Sequence, residues 1–210
     1  MPVNLHQQRS QATKGALRRV ALARFAKDGF GNVTVSQLAE EAGVTERTFF
    51  RHFPTKEAVL FADYETHLGW LAEALARRPA TESLFDAVMA SVGSFPHDLE
   101  VVRQAALLRA SLIGERAAGH LRVVQASFAA VITDFVRKRY ADVPGIELKA
   151  EVAGAVLAAA LVVAVENWGR GGCVGDLGEI VSESVGLVRT GLAPLGYLTG
   201  REPTRARQRV

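Results

Sequence analysis

The sequence predicts an all-α chain of about nine helices, and three observations predict it. Apolar residues recur three and four apart along nearly the whole length, with no strand-like alternation and no internal repeat. Threonines stand where several helices would begin, and glycines and prolines interrupt the pattern at helix-length intervals. At 210 residues, 49% of them hydrophobic and 22% charged, the chain can also bury a core large enough to hold those helices together.

Residues 1–13 are expected as a flexible basic arm. Leu17, Val20, Ala21 and Phe25 then mark the inner face of a first helix, which Gly29 stops with Phe30 folded back over its end. Thr34 opens a second helix, and Gln37 three residues on completes a capping box. Gly43 ends it. Thr45 caps a short third helix that Pro54 terminates near Phe53, and Thr55 caps a fourth expected to run unbroken from Lys56 to Arg78. Further helices are expected over 82–94, 98–115, 117–140, 147–168 and 177–193. The run Val152 to Val165 is apolar all round, so it must be covered on every side; Gly154 and Ala158 within it allow close helix approach.

Charge is unevenly spread. Residues 1–60 hold nine Lys/Arg against five Asp/Glu, whereas residues 61–200 hold twelve against sixteen, and the last ten residues hold four Arg and one Glu. A basic first segment on an acidic body suits a polyanionic partner, although a solvated basic face would have the same composition. The single cysteine, Cys173, excludes an intramolecular disulfide and a cysteine-cluster metal site. No apolar segment follows a basic start, and the longest apolar run is too short to span a bilayer comfortably, so a cytoplasmic protein with no membrane partner is expected. No Ser-His-Asp set, paired carboxylates or phosphate loop points to catalysis, and no cofactor or metal is expected.

The stretch "TVSQLAEEAGVTERTFFRHFPTKEAVL" has the anatomy of a helix-turn-helix. Ala39 is small where two helices touch, Gly43 supplies a positive-φ turn, and Phe49 and Phe53, four apart, give the second helix its buried face. Thr45, Glu46, Arg47, Thr48, Arg51 and His52 are left on or near the outside. Such a helix fits the major groove, where arginine pairs with guanine edges, while helix N-termini and hydroxyls hold phosphates. With "ALARFAKDGF" before it, the segment resembles the DNA-binding domain of the TetR family of bacterial repressors over residues 14–62.

That resemblance implies a DNA-binding head, a ligand-binding and dimerising helical domain over 63–200, and an operator on double-stranded DNA; residues 201–210 are expected as a basic disordered tail. By position, Ser36, Glu46 and Arg47 resemble groove-facing residues, and Thr34, Thr45, Thr48, His52 and Lys56 resemble phosphate contacts. Phe50 replaces a tyrosine common in the family, so its contact reduces to packing on the sugar-phosphate wall. Arg51 reads equally as a DNA contact or a solvated side chain.

The body carries a looser echo, in "RQAALLRASLIG" and "AVENW", of a TetR subgroup that includes the mycofactocin-associated regulator, which would imply an acyl-CoA-like effector. Read from the residues alone, Trp70, Phe85, Met89, Leu108, Phe128, Ile132, Phe135 and Trp168 either enclose an apolar ligand or fill a core. Arg109, Glu166 and Asn167 are polar groups in apolar surroundings, and they either orient a ligand or pair with one another. The expectation is a homodimeric repressor released by a small apolar or amphipathic molecule. An effector-independent architectural protein, or a helical enzyme with a vestigial head, would share most of these features.

Overall fold

The computed structural model describes residues 5–95, 99–112 and 115–191. Among the described residues there are nine α-helices and no strand: α1 (Leu5–Asp28), α2 (Val35–Glu41), α3 (Glu46–His52), α4 (Asp63–Ala76), α5 (Leu84–Gly93), α6 (Leu99–Ala110), α7 (Glu115–Arg139), α8 (Ile146–Arg170) and α9 (Leu177–Arg189). The expected tail 201–210 lies outside the described residues.

The head assembles from short helices whose ends are chemically marked. Leu17, Ala21, Leu22 and Phe25 of α1 bury one stripe, and the chain leaves the helix through Gly29 at φ 83°, laying Phe30 4.8 Å from Phe25 between ring centroids. Arg24 of α1 then ties to Glu41 of α2 at 2.8 Å. The first helix starts earlier than expected. Residues 5–13 are helical rather than a flexible arm, because Gln, Arg and Ala favour helix without needing a buried stripe. Thr13 donates its hydroxyl to the Arg9 carbonyl within this segment.

The expected unbroken fourth helix is instead a 3-10 turn, Glu57–Phe61, followed by α4. Val59, Leu60 and Phe61 are all buried. Three consecutive residues cannot share one face of an α-helix, so the chain tightens to bury them. Thr55 does cap, accepting a hydrogen bond from the Ala58 N–H at 3.1 Å, but it caps this turn. The turn links head to body.

In the body, α8 is the central helix, packed against α6, α7 and α9. It is long and apolar enough to cross a membrane, a test that the core helix of a helical bundle also passes. Gly154 permits the α7 contact: a Cβ there would collide with Thr133 Oγ1 and lie 2.6 Å from the Ala129 carbonyl. Gly154 and Ala158 therefore face inward within one protomer. The run around them is not covered on every side either. Leu148, Val152, Val156 and Val163 form an outer stripe, with Leu148 70% and Val152 53% exposed.

Candidate nucleic-acid interface and internal cavity

Local hydrogen bonding fixes how α2 and α3 are presented. Thr34 Oγ1 accepts from the Gln37 N–H at 3.3 Å while Gln37 Oε1 accepts from the Thr34 N–H at 2.9 Å, which closes the expected capping box. Gly43, at φ 68°, lets the Val44 N–H return to the Ala39 carbonyl at 2.9 Å, so the chain reverses within two residues. Thr45 Oγ1 accepts from the Thr48 N–H at 3.2 Å and lies 3.1 Å from the Thr48 hydroxyl. Phe49 and Phe53 are fully buried against the head core.

With those two rings inward, the opposite arc of α3 faces out. Thr34, Ser36, Thr45, Glu46, Arg47, Phe50 and Arg51 are exposed, Phe50 at 47%, and Thr48 and His52 are half-buried. His52 Nε2 has no hydrogen-bond partner among the described residues. Burial, then the nearby charges of Arg51 and Lys14, hold its proton affinity below the ordinary histidine value. Lys14 lies 5.8 Å from the Phe53 ring centroid, so α1 adds a basic group beside the end of α3. Sequence reasoning missed Lys14 because the resemblance centred on α2 and α3.

Lys56, expected as a phosphate contact, is engaged within the head. Its Nζ donates to the Phe30 carbonyl at 2.7 Å and the Val33 carbonyl at 2.9 Å, 4.3 Å from the Phe30 ring centroid. The ammonium fastens the linker turn to the loop between α1 and α2.

The body holds a partly open cavity of about 470 Å³ lined by residues of α4 through α9, within the range of small-molecule sites. Trp70, Met89, Arg109 and Phe128 border it as expected. The other expected ligand contacts lie elsewhere. Ile132 is fully buried in the core, Leu108 packs against it, and Phe135 lies under the Arg139 guanidinium. Phe85 lines a surface groove with Leu148, Val152 and Val156. Trp168 packs with Val102, Ala106 and Cys173 and donates to the Gly175 carbonyl at 3.2 Å. Asn167 is exposed, one residue and about 100° around α8 from buried Glu166.

Tyr64, His67 and Phe95, not singled out beforehand, join Trp70 and Phe128 in an aromatic cluster along the wall. His67 and Trp70 pack edge-on to Phe95 at 4.7 and 5.0 Å between centroids, and Tyr64 meets Phe128 at 5.8 Å. The signal was present in α4, where Tyr64, His67 and Leu71 recur on one face.

Arg109 and Glu166 do pair with each other. Arg109 Nε donates to Glu166 Oε1 at 2.8 Å, with side-chain exposures of 3% and 10%, so Glu166 stands behind the cavity wall as the counter-charge. The Arg109 Nη1 donates to the Leu60 carbonyl at 3.1 Å, and the Tyr64 hydroxyl makes a long contact to Glu166 Oε1 at 3.4 Å.

Known proteins match both halves of this arrangement. The family model of TetR-type bacterial regulatory proteins matches residues 17–62. The Mycobacterium tuberculosis protein MftR, named for transcriptional regulation of mycofactocin biosynthesis, is 30% identical over 186 residues, 88% of this chain and 93% of MftR. The crystal structure of Thermus thermophilus FadR with lauroyl-CoA, a TetR-family repressor, superposes at TM-score 0.61 and 20% identity, covering 92% of this chain and 99% of FadR. The SmeT–triclosan complex superposes at TM-score 0.61 and 16% identity, covering 86% and 91%.

Proposed function

The chain belongs to the TetR family and is a DNA-binding transcriptional regulator, and from that premise we propose that it is a homodimeric repressor released from its operator by a small apolar or amphipathic molecule bound in the body cavity. Arg47, Glu46 and Ser36 read base edges; Thr34, Thr45, Thr48 and His52 hold phosphates, and Phe50 packs on the sugar-phosphate wall. Exposed Arg51, in direct line with Arg47 on α3, joins the phosphate contacts. The observation that carries the proposal is the cavity itself, apolar along most of its wall and joined through Arg109 to the turn that bears the head.

An acyl thioester is the favoured ligand class, because the FadR neighbour was crystallised with lauroyl-CoA. Dimerisation uses the outer stripe of α8, an exposed apolar row that a second copy would cover about a two-fold axis, together with α9. Each head then meets one half-site, about 34–36 Å or a multiple of it apart along one DNA face. The protein acts in the cytoplasm.

The test begins with DNA selected from a random pool by the full-length protein. The selected sequences should share a two-fold symmetric site, and in fluorescence anisotropy added lauroyl-CoA should weaken binding about tenfold. Equal affinity with and without lauroyl-CoA, despite its binding, would remove that class as effector, since a ligand indifferent to two states shifts neither. Val152→Asp should give monomers by sedimentation; a dimer would send the interface elsewhere.

A further inference from the structure

We infer that Arg109 is a latch between the cavity wall and the head, and that an occupied cavity acts on the head by drawing this side chain away from the linker. The inference rests on the ligand-released reading above and specifies the contact through which release travels. Arg109 borders the cavity, and the same guanidinium holds the carbonyl of Leu60 in the Glu57–Phe61 turn. It also sits 5.7 Å from the Phe61 ring centroid and 5.1 Å from that of Tyr64, residues on the two sides of the break between turn and α4. One side chain therefore touches the ligand space, the end of the linker and the start of the body.

A second side chain holds the linker from α7. His120 Nε2 lies 3.3 Å from Thr55 Oγ1, and its ring stacks on Phe61 at 5.0 Å. His120 does not border the cavity; Tyr64 does, and stacks on Phe61 at 6.4 Å, but Arg109 is the lining residue whose hydrogen bond holds the turn itself. The guanidinium's other commitment anchors it to the body: Nε is held by Glu166 of α8. No hydrogen bond engages its Nη2 among the described residues. A carbonyl or phosphate oxygen on a ligand could take that nitrogen and turn the rigid fork, and a turned fork cannot keep both Glu166 and Leu60 in line. The Leu60 carbonyl is the neutral partner, and so the weaker of the two.

Arg109→Met alone would strand a buried carboxylate, so the test uses Arg109→Met/Glu166→Met, which replaces the pair by apolar groups of similar length. Folding is checked by thermal melting. With lauroyl-CoA at saturation as the probe, wild type should lose about tenfold in operator affinity and the double variant less than about twofold. Amide exchange across 57–62, with the cavity empty, should be faster in the double variant. A double variant that binds the probe and still loses operator about tenfold would overturn the latch while leaving ligand release intact. Should wild type fail to bind or respond to the probe, ligand release fails for this probe; should the double variant alone fail to bind it, release in wild type stands; in both cases exchange decides the latch. Unchanged exchange across 57–62 would then overturn it.

Discussion

The head and the body are both helical, yet they present function in opposite directions. In the head, α2 and α3 spend two buried phenylalanines on fixing themselves and turn nearly every chemically informative side chain outward. In the body, the informative groups turn inward, where Met89 and Phe128 on the cavity wall look no different in sequence from Leu157 and Ile132 in the core. An outward site can be read from helical period alone, because whatever is not buried remains to act. An inward site cannot, since period separates inside from outside but not core from cavity.

The sharpest way to break this contrast is to remove the packing behind the outward face. Phe49→Ala should cost about 3–5 kcal/mol of head stability and abolish DNA binding, while the body still melts near the wild-type temperature. A single, earlier cooperative melt of the whole chain would show that the two regions fold as one unit. Lys56→Met is next, at about 1.5–3 kcal/mol of stability from losing charged hydrogen bonds to Phe30 and Val33. Its salt dependence of DNA binding should match wild type; a slope reduced by about one would return Lys56 to the phosphates.

Arg47→Ala should leave stability untouched and cost about 1–3 kcal/mol on selected DNA alone. Equal losses on selected and random DNA would make Arg47 a phosphate contact. The smallest effect concerns His52. Its proton affinity is lowered in the fold, first by burial and then by Arg51 and Lys14, so the unfolded chain binds more protons below the ordinary value of 6.5. Head stability should therefore fall as pH drops through that value, and His52→Gln should flatten the fall. An unchanged pH profile in His52→Gln would assign the effect to another group.

Legibility followed local chemistry. The Thr34 capping box, the Gly43 turn and the Phe49–Phe53 face were all readable, because each is settled within four or five residues. The start of α1 at Leu5 was not, since residues 8–12 are all exposed and offer no buried stripe that a period could reveal. The linker turn left a trace that was misread: Val59, Leu60 and Phe61 in succession are one apolar run too dense for a single helical face. Among the polar body residues, Arg109 and Glu166 stood out correctly against apolar surroundings, whereas Asn167 shared their sequence context and not their side of the helix. Trp168 was drawn away from the cavity by a partner no period encodes, the Gly175 carbonyl after the end of α8.

Gly169 has a consequence for how two protomers would respond together. A Cβ on it would lie 2.7 Å from the Ala106 carbonyl, so α6 and α8 touch backbone to backbone there. Arg109 meets Glu166 one turn along, and Cys173 Sγ faces the Arg103 carbonyl at 3.7 Å in the other direction, which makes an antiparallel seam over two turns. Helices meshed so closely move as one piece. In the proposed dimer the outer stripe of that same α8 is shared with the second copy, so a shift of α6 in one protomer is felt at the axis of symmetry. Such an assembly would switch in concert: the first molecule bound would bear most of the cost of the transition, and the second would find its cavity already rearranged.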